Sequence, residues 1–179
     1  MKRLLLLALL ACSWAQAEVI PVHPIEECFL CSTAPSMTMY LQGQNAKAVL
    51  IFIPGGEGYL GLKEGQTEVK GQILKTLKRL TDPALTSGKY DVVFLDSPNE
   101  LSPRQPYPSA RGSMDHLIRI ESAIQYYKKR TGLPIWLIGH SNGGISLTEF
   151  LKYAQKNNKL DLISGFIASG IRNESYFNA

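Results

Sequence analysis

Short unbroken apolar runs alternate along the chain with longer stretches in which apolar side chains recur every three or four positions. Residues 48–53 (AVLIFI), 90–95 (YDVVFL) and 135–138 (IWLI) are runs of the first kind. Their length, β-branched content and turn-forming boundaries predict strands buried on both faces. Residues 162–168 (LISGFIA) predict a fourth strand, weakened by Gly165 but compatible with a parallel sheet, and residues 37–41 a short additional one. Between 66 and 80, Val69, Ile73, Leu74, Leu77 and Leu80 recur at helical spacing until Thr81-Asp82-Pro83 stops the run, which predicts an amphipathic helix. Met114, Leu117, Ile118, Glu121, Ile124 and Tyr127 mark a second helix, largely apolar on one face, with Ser113 as its N-cap and Thr131-Gly132 as its end. Leu147, Phe150, Leu151 and Ala154 stripe a third. Strand and helix therefore alternate, and that order predicts an α/β fold: a mostly parallel sheet covered on both faces, a three-layer α/β/α sandwich. A chain of 179 residues suits one such domain, expected to run from residue 18 to 179.

Residues 1–17 stand apart from this pattern. Lys2 and Arg3 precede a leucine-rich run and then Ala15-Gln16-Ala17, the charged start, short apolar stretch and small-x-small site of an export signal. The run is too short to span a bilayer. Leu9-Leu10-Ala11-Cys12 also resembles the lipobox of bacterial lipoproteins, in which case Cys12 carries a lipid. Lipidation is then the one route to membrane attachment, and cleavage after Ala17 the route to a periplasmic or secreted chain. Cleavage leaves seventeen Lys and Arg against fifteen Asp and Glu, a net charge of +2. With Lys128-Lys129-Arg130 placed at a helix C-terminus, where cations complement the helix dipole, no basic block points to nucleic acid.

Export matters for Cys28 and Cys31, a CxxC pair among loop-forming residues. A disulfide clipping the mature N-terminus is the favoured reading in an oxidising compartment. Thiol exchange wants this motif at the start of a helix, and zinc wants two further ligands, for which His23, Glu26 and Glu27 are poor candidates. No cofactor or metal is expected.

Gly139-His140-Ser141-Asn142-Gly143 fits G-x-S-x-G between a predicted strand and a predicted helix, the context that gives the motif its meaning. The glycines provide clearance where strand and helix pass close together, and Ser141 takes a strained positive φ. Its hydroxyl is then a candidate nucleophile, with the Asn142 N–H as an oxyanion donor. A second donor is expected from Pro54-Gly55-Gly56-Glu57-Gly58, directly after the first core strand: Gly56, with Glu57 next. Gly55, Glu57, Asp96 and His140 are expected to border the substrate pocket, with the proline-rich stretch up to Pro108 as its rim.

These residues resemble the α/β-hydrolase superfamily over roughly residues 47–170. The resemblance implies a serine hydrolase acting on a small-molecule ester or acyl substrate through an acyl-enzyme on Ser141. Peptidase and thioesterase chemistry belong to the same fold. It also implies an acid and a histidine later in the chain, yet none of the 38 residues after Ser141 is histidine. His23 and His116 precede the nucleophile, and His140 adjoins it with its ring directed elsewhere. Glu174 is the one acid after the fourth strand placed where some members carry theirs. The expectation is a C-terminally truncated hydrolase lacking the final strands. A non-catalytic exported module of the same fold is the alternative, and a redox or metal protein built on Cys28 and Cys31 a third.

Overall fold

The computed structural model describes residues 17–26, 31–68, 70–97 and 110–170. Six strands form one sheet: β1 (Ala17–Val22), β2 (Ser36–Leu41), β3 (Ala48–Ile53), β4 (Tyr90–Leu95), β5 (Ile135–His140) and β6 (Gly165–Ser169). They lie in the order β1-β2-β4-β3-β5-β6. β4, β3, β5 and β6 are parallel, while β2 runs antiparallel to β4 and β1 antiparallel to β2.

The all-apolar runs take the centre, where both faces are covered: every residue of β3 is buried. Helices α3 (Met114–Thr131) and α4 (Asn142–Lys156) cover one face. Leu117, Ile120, Ile124, Tyr127, Leu147 and Phe150 pack there against Val49, Ile51, Val93 and Leu137. The opposite face is covered by α1 (Gln72–Lys78) and the loop before it, through Leu74 and Leu62 against Leu50, Phe52, Phe94 and Ile138. A one-turn helix, α2 (Pro83–Thr86), leads into β4. The architecture is the expected three-layer α/β/α sandwich.

Three boundaries differ from the sequence pattern. The helix expected over 66–80 starts at Gln72, because Gly71 ahead of it has φ 94°, outside the helical region, and its α-helical part ends at Lys78 before a 3-10 turn (Arg79–Thr81). The strand expected over 162–168 begins at Gly165, Leu162 being taken by a 3-10 turn (Leu160–Leu162) and residues 163–164 linking the two. β1 was not foreseen. It adds an antiparallel strand beside β2, with Pro21 opposite Met37, at a sheet edge where proline is tolerated.

Cys31 is disulfide-bonded, while Cys28 and Cys12 lie outside the described residues. The segment after Cys31 is tied to α3: the Ser32 N–H donates to Asp115 Oδ1 (2.9 Å), and buried Arg119 donates to the Ala34 carbonyl (2.6 Å) and to Asp115 Oδ2 (2.8 Å). The proline-rich stretch and Glu174 also fall outside the described residues.

Candidate active site

Ser141 stands between the end of β5 and the first turn of α4 with φ 53° and ψ −124°. A non-glycine residue with positive φ, away from the left-handed helical well, stores roughly 1–3 kcal/mol and persists only where its surroundings fix it. Those surroundings are crowded backbone. A Cβ on Gly139 would lie 2.6 Å from the Gly143 carbonyl oxygen and 2.9 Å from Gly144 Cα, and one on Gly143 would lie 2.1 Å from the Ile53 oxygen. Glycine at 139 and 143 is what lets β5, α4 and β3 meet. The Ser141 N–H then continues the β5–β6 ladder by donating to the Ser169 carbonyl (2.9 Å).

The loop leaving β3 passes over this elbow. A Cβ on Gly55 would come 2.6 Å from the His140 carbonyl oxygen and 3.0 Å from Ser141 Cβ. Gly56 follows with φ 58°. The Gly56 carbonyl accepts from Asn142 Nδ2 (3.2 Å), so loop and elbow are bonded directly. Gly55, Gly56, His140 and Ser141 line one cavity of about 500 Å³, walled on its apolar side by Phe52, Leu60 and Leu74. Glycine-bearing loop, Ser141 and helix N-terminus thus converge on one concave surface.

No family model and no curated protein matches the sequence. Solved structures do. A brefeldin A esterase, described as a bacterial homologue of human hormone sensitive lipase, aligns with 88% of this chain and 40% of its own at 19% identity and a TM-score of 0.53. Esterases from Rhizomucor miehei align with 84% of this chain and 42% of theirs, at 19% identity and a TM-score of 0.56. XC6422 from Xanthomonas campestris, described as an a/b serine hydrolase without lid, aligns with 86% of this chain and 60% of its own, at 11% identity and a TM-score of 0.52. The fold is that of the α/β-hydrolases. The chain spans between 40 and 60% of the length of these structures.

Within this α/β-hydrolase fold the histidines form their hydrogen bonds, among the described residues, with groups other than the Ser141 hydroxyl. His140 shares a hydrogen bond with Ser169 Oγ through Nδ1 (3.0 Å), at the end of β6. His23 is exposed ahead of β2. His116 is buried in the first turn of α3, its Nε2 bonded to Ser146 Oγ (2.9 Å) on α4.

Asp96, expected at the pocket border, is engaged by the loop after β3. It is buried and does not line the cavity. Its two carboxylate oxygens accept from the Leu60 N–H (2.5 Å) and the Leu62 N–H (2.7 Å). Burial pushes the carboxyl above its ordinary range against the pull of these and neighbouring amides. Asp96 therefore fastens the loop that carries Leu60, and its influence on the cavity is indirect. Glu57 is exposed and is not among the residues lining this cavity.

The residue missed from sequence is Arg111. It is buried, with Nη1 donating to the Pro54 carbonyl (3.1 Å) and to Ser146 Oγ (2.8 Å), and Nη2 to the Gly56 carbonyl (2.8 Å). A signal existed: a lone cation two residues before a helix N-cap opposes the helix dipole, which points to a partner elsewhere.

Burial, and secondarily the Arg111 charge, lower the His116 pKa from 6.5 to about 3. The folded state keeps the ring neutral where the unfolded chain protonates it, so stability falls as pH drops through 6.5 and continues to fall towards 3. Between pH 7 and pH 5 this residue is expected to remove about 2 kcal/mol, the size set by 1.36 kcal/mol per pH unit. Urea denaturation of wild type and His116→Gln at both pH values checks it, wild type losing the larger amount. Equal losses would remove His116 as the cause.

Proposed function

We propose that Ser141 is the nucleophile of a carboxylic ester hydrolase. The observation that carries this is the strained backbone at Ser141 with Gly55 of the β3 loop against its Cβ. Ser141 lines a cavity together with Gly55 and Gly56 of the β3 loop, which supports this reading. In the proposed step Ser141 Oγ forms a bond to the ester carbonyl carbon as its proton leaves for a base. The carbonyl oxygen becomes an oxyanion facing the N–H of Asn142 and an amide of the Gly56–Glu57 turn. Collapse breaks the bond to the alkoxide, which takes up a proton, and water then releases the acid from the acyl-serine.

With His116 bonded to Ser146 and His140 to Ser169, the reading assigns the base role to none of His23, His116 and His140. The esterases among the fold neighbours support ester chemistry over peptide or thioester chemistry. Export through residues 1–17, with cleavage at Ala17 or lipidation at Cys12, is part of the proposal, supported by the Cys31 disulfide.

A second reading is motivated by the same histidine geometry: a non-catalytic exported module. Hydrolysis of p-nitrophenyl esters by the purified chain separates the two. The first reading expects slow turnover that disappears in Ser141→Ala. The second expects no difference between wild type and variant.

A further inference from the structure

We infer that Arg111 is a positioning residue that fixes which way the amides of the β3 loop face. The inference rests on Ser141 being a nucleophile only where rates are concerned. A guanidinium as buried as this one is costly unless several acceptors surround it. Its two terminal nitrogens hold the carbonyls of Pro54 and Gly56, on either side of Gly55 (3.1 and 2.8 Å). Ser146, itself fully buried, holds Nη1 from the α4 side at 2.8 Å.

The peptide unit is planar and trans, so its N–H points opposite to its C=O. Tying down the Pro54 and Gly56 oxygens therefore turns the N–H groups of Gly55 and Glu57 away from the guanidinium. Two further carbonyls of the turn are also engaged: that of Gly55 by the Gly58 N–H (3.0 Å) and that of Gly58 by the Ser97 N–H (3.1 Å). Gly55 and Gly56 otherwise have little steric resistance to a peptide flip, and a flipped peptide would present a carbonyl where an oxyanion needs a donor. A planar fork reaches two carbonyls at once, and a lysine ammonium does not reproduce that geometry.

The test combines two measurements on wild type, Arg111→Lys, Arg111→Met and the milder Ser146→Ala, each shown by circular dichroism to be folded. In the first, inactivation by an alkyl fluorophosphonate with added imidazole is resolved into a maximal rate and a half-saturating concentration. The maximal rate is expected to fall about 100-fold in Arg111→Met, the scale for loss of one oxyanion donor, and nearly as far in Arg111→Lys, with half-saturation little changed. In the second, amide hydrogen exchange over residues 55–58 is expected to accelerate roughly tenfold or more, while α3 and β5 stay protected. Unchanged exchange over 55–58 in the Arg111 variants overturns the inference, as does an unchanged maximal rate. Should wild type resist labelling at Ser141 while exchange still accelerates in the variants, the nucleophile reading falls and the hold of Arg111 on the loop stands. If the Arg111 variants do not fold, Ser146→Ala decides by the same two readouts at smaller amplitude.

Discussion

Gly143→Ala is expected to destabilise the domain by about 3 kcal/mol, at the upper end of what overpacking costs, and to lower the melting temperature by roughly 6–12 °C for a chain of this size. The added methyl would sit 2.1 Å from the Ile53 oxygen and 2.9 Å from both the Ile53 carbonyl carbon and the Pro54 oxygen. All three atoms are backbone at the end of a central strand, so no side-chain rotation relieves the clash. The helix must lift away from β3, and the β3 loop is disturbed with it. Gly112→Ala is the control, because its Cβ would meet only the flexible side chain of Glu149, at 3.4 Å. Thermal denaturation followed by circular dichroism measures both. A Gly143→Ala melting temperature within about 2 °C of wild type would mean that the elbow is not packed as described.

The second large effect is at Ser141, where stability and reactivity are expected to move in opposite directions. Ser141→Gly removes a side chain from a backbone conformation with φ 53°. Relief of roughly 1–3 kcal/mol of strain, less the 0.5–1 kcal/mol that glycine loses in backbone entropy, leaves a gain of about 1 kcal/mol. Ser141→Ala keeps the strain and removes only the hydroxyl, so its stability should stay close to wild type. Both variants should lose acylation altogether, since no other hydroxyl replaces the one at the elbow. Urea denaturation of the three proteins reads the first effect and ester turnover the second. A Ser141→Gly protein no more stable than Ser141→Ala would remove the claim of strain.

The central fold was legible because its signals are local. The unbroken runs of β3 and β4 need no partner to be read as doubly buried strands; the IWLI start of β5 reads the same way, but its Trp136 is exposed. Ser113 and Gly132 mark the ends of α3 by capping chemistry, with the Ser113 oxygen accepting from the His116 N–H and Gly132 in the left-handed region. The elbow was legible for a related reason: strand, serine between glycines, and helix are contiguous in sequence. What escaped depends on distant residues. Arg111 looks like an ordinary loop cation until the fold brings Pro54, Gly56 and Ser146 around it, at separations of 57, 55 and 35 residues. Asp96 was placed at the cavity border because it follows β4, but the loop amides of Leu60 and Leu62 claim its carboxylate. β1 escaped because its faces alternate only weakly, with Ile20 and Val22 buried and Pro21 in between. The early helix boundary turned on the backbone of Gly71, which apolar periodicity does not register.

Mass mapping of a fluorophosphonate adduct, with imidazole supplied as an external base, tests most directly whether the elbow makes Ser141 a nucleophile. The folded chain is expected to carry the phosphonyl group on the peptide containing Ser141, increasingly so with imidazole concentration, and Ser141→Ala to carry none there. A folded chain whose Ser141 stays unmodified at every imidazole concentration would contradict the account.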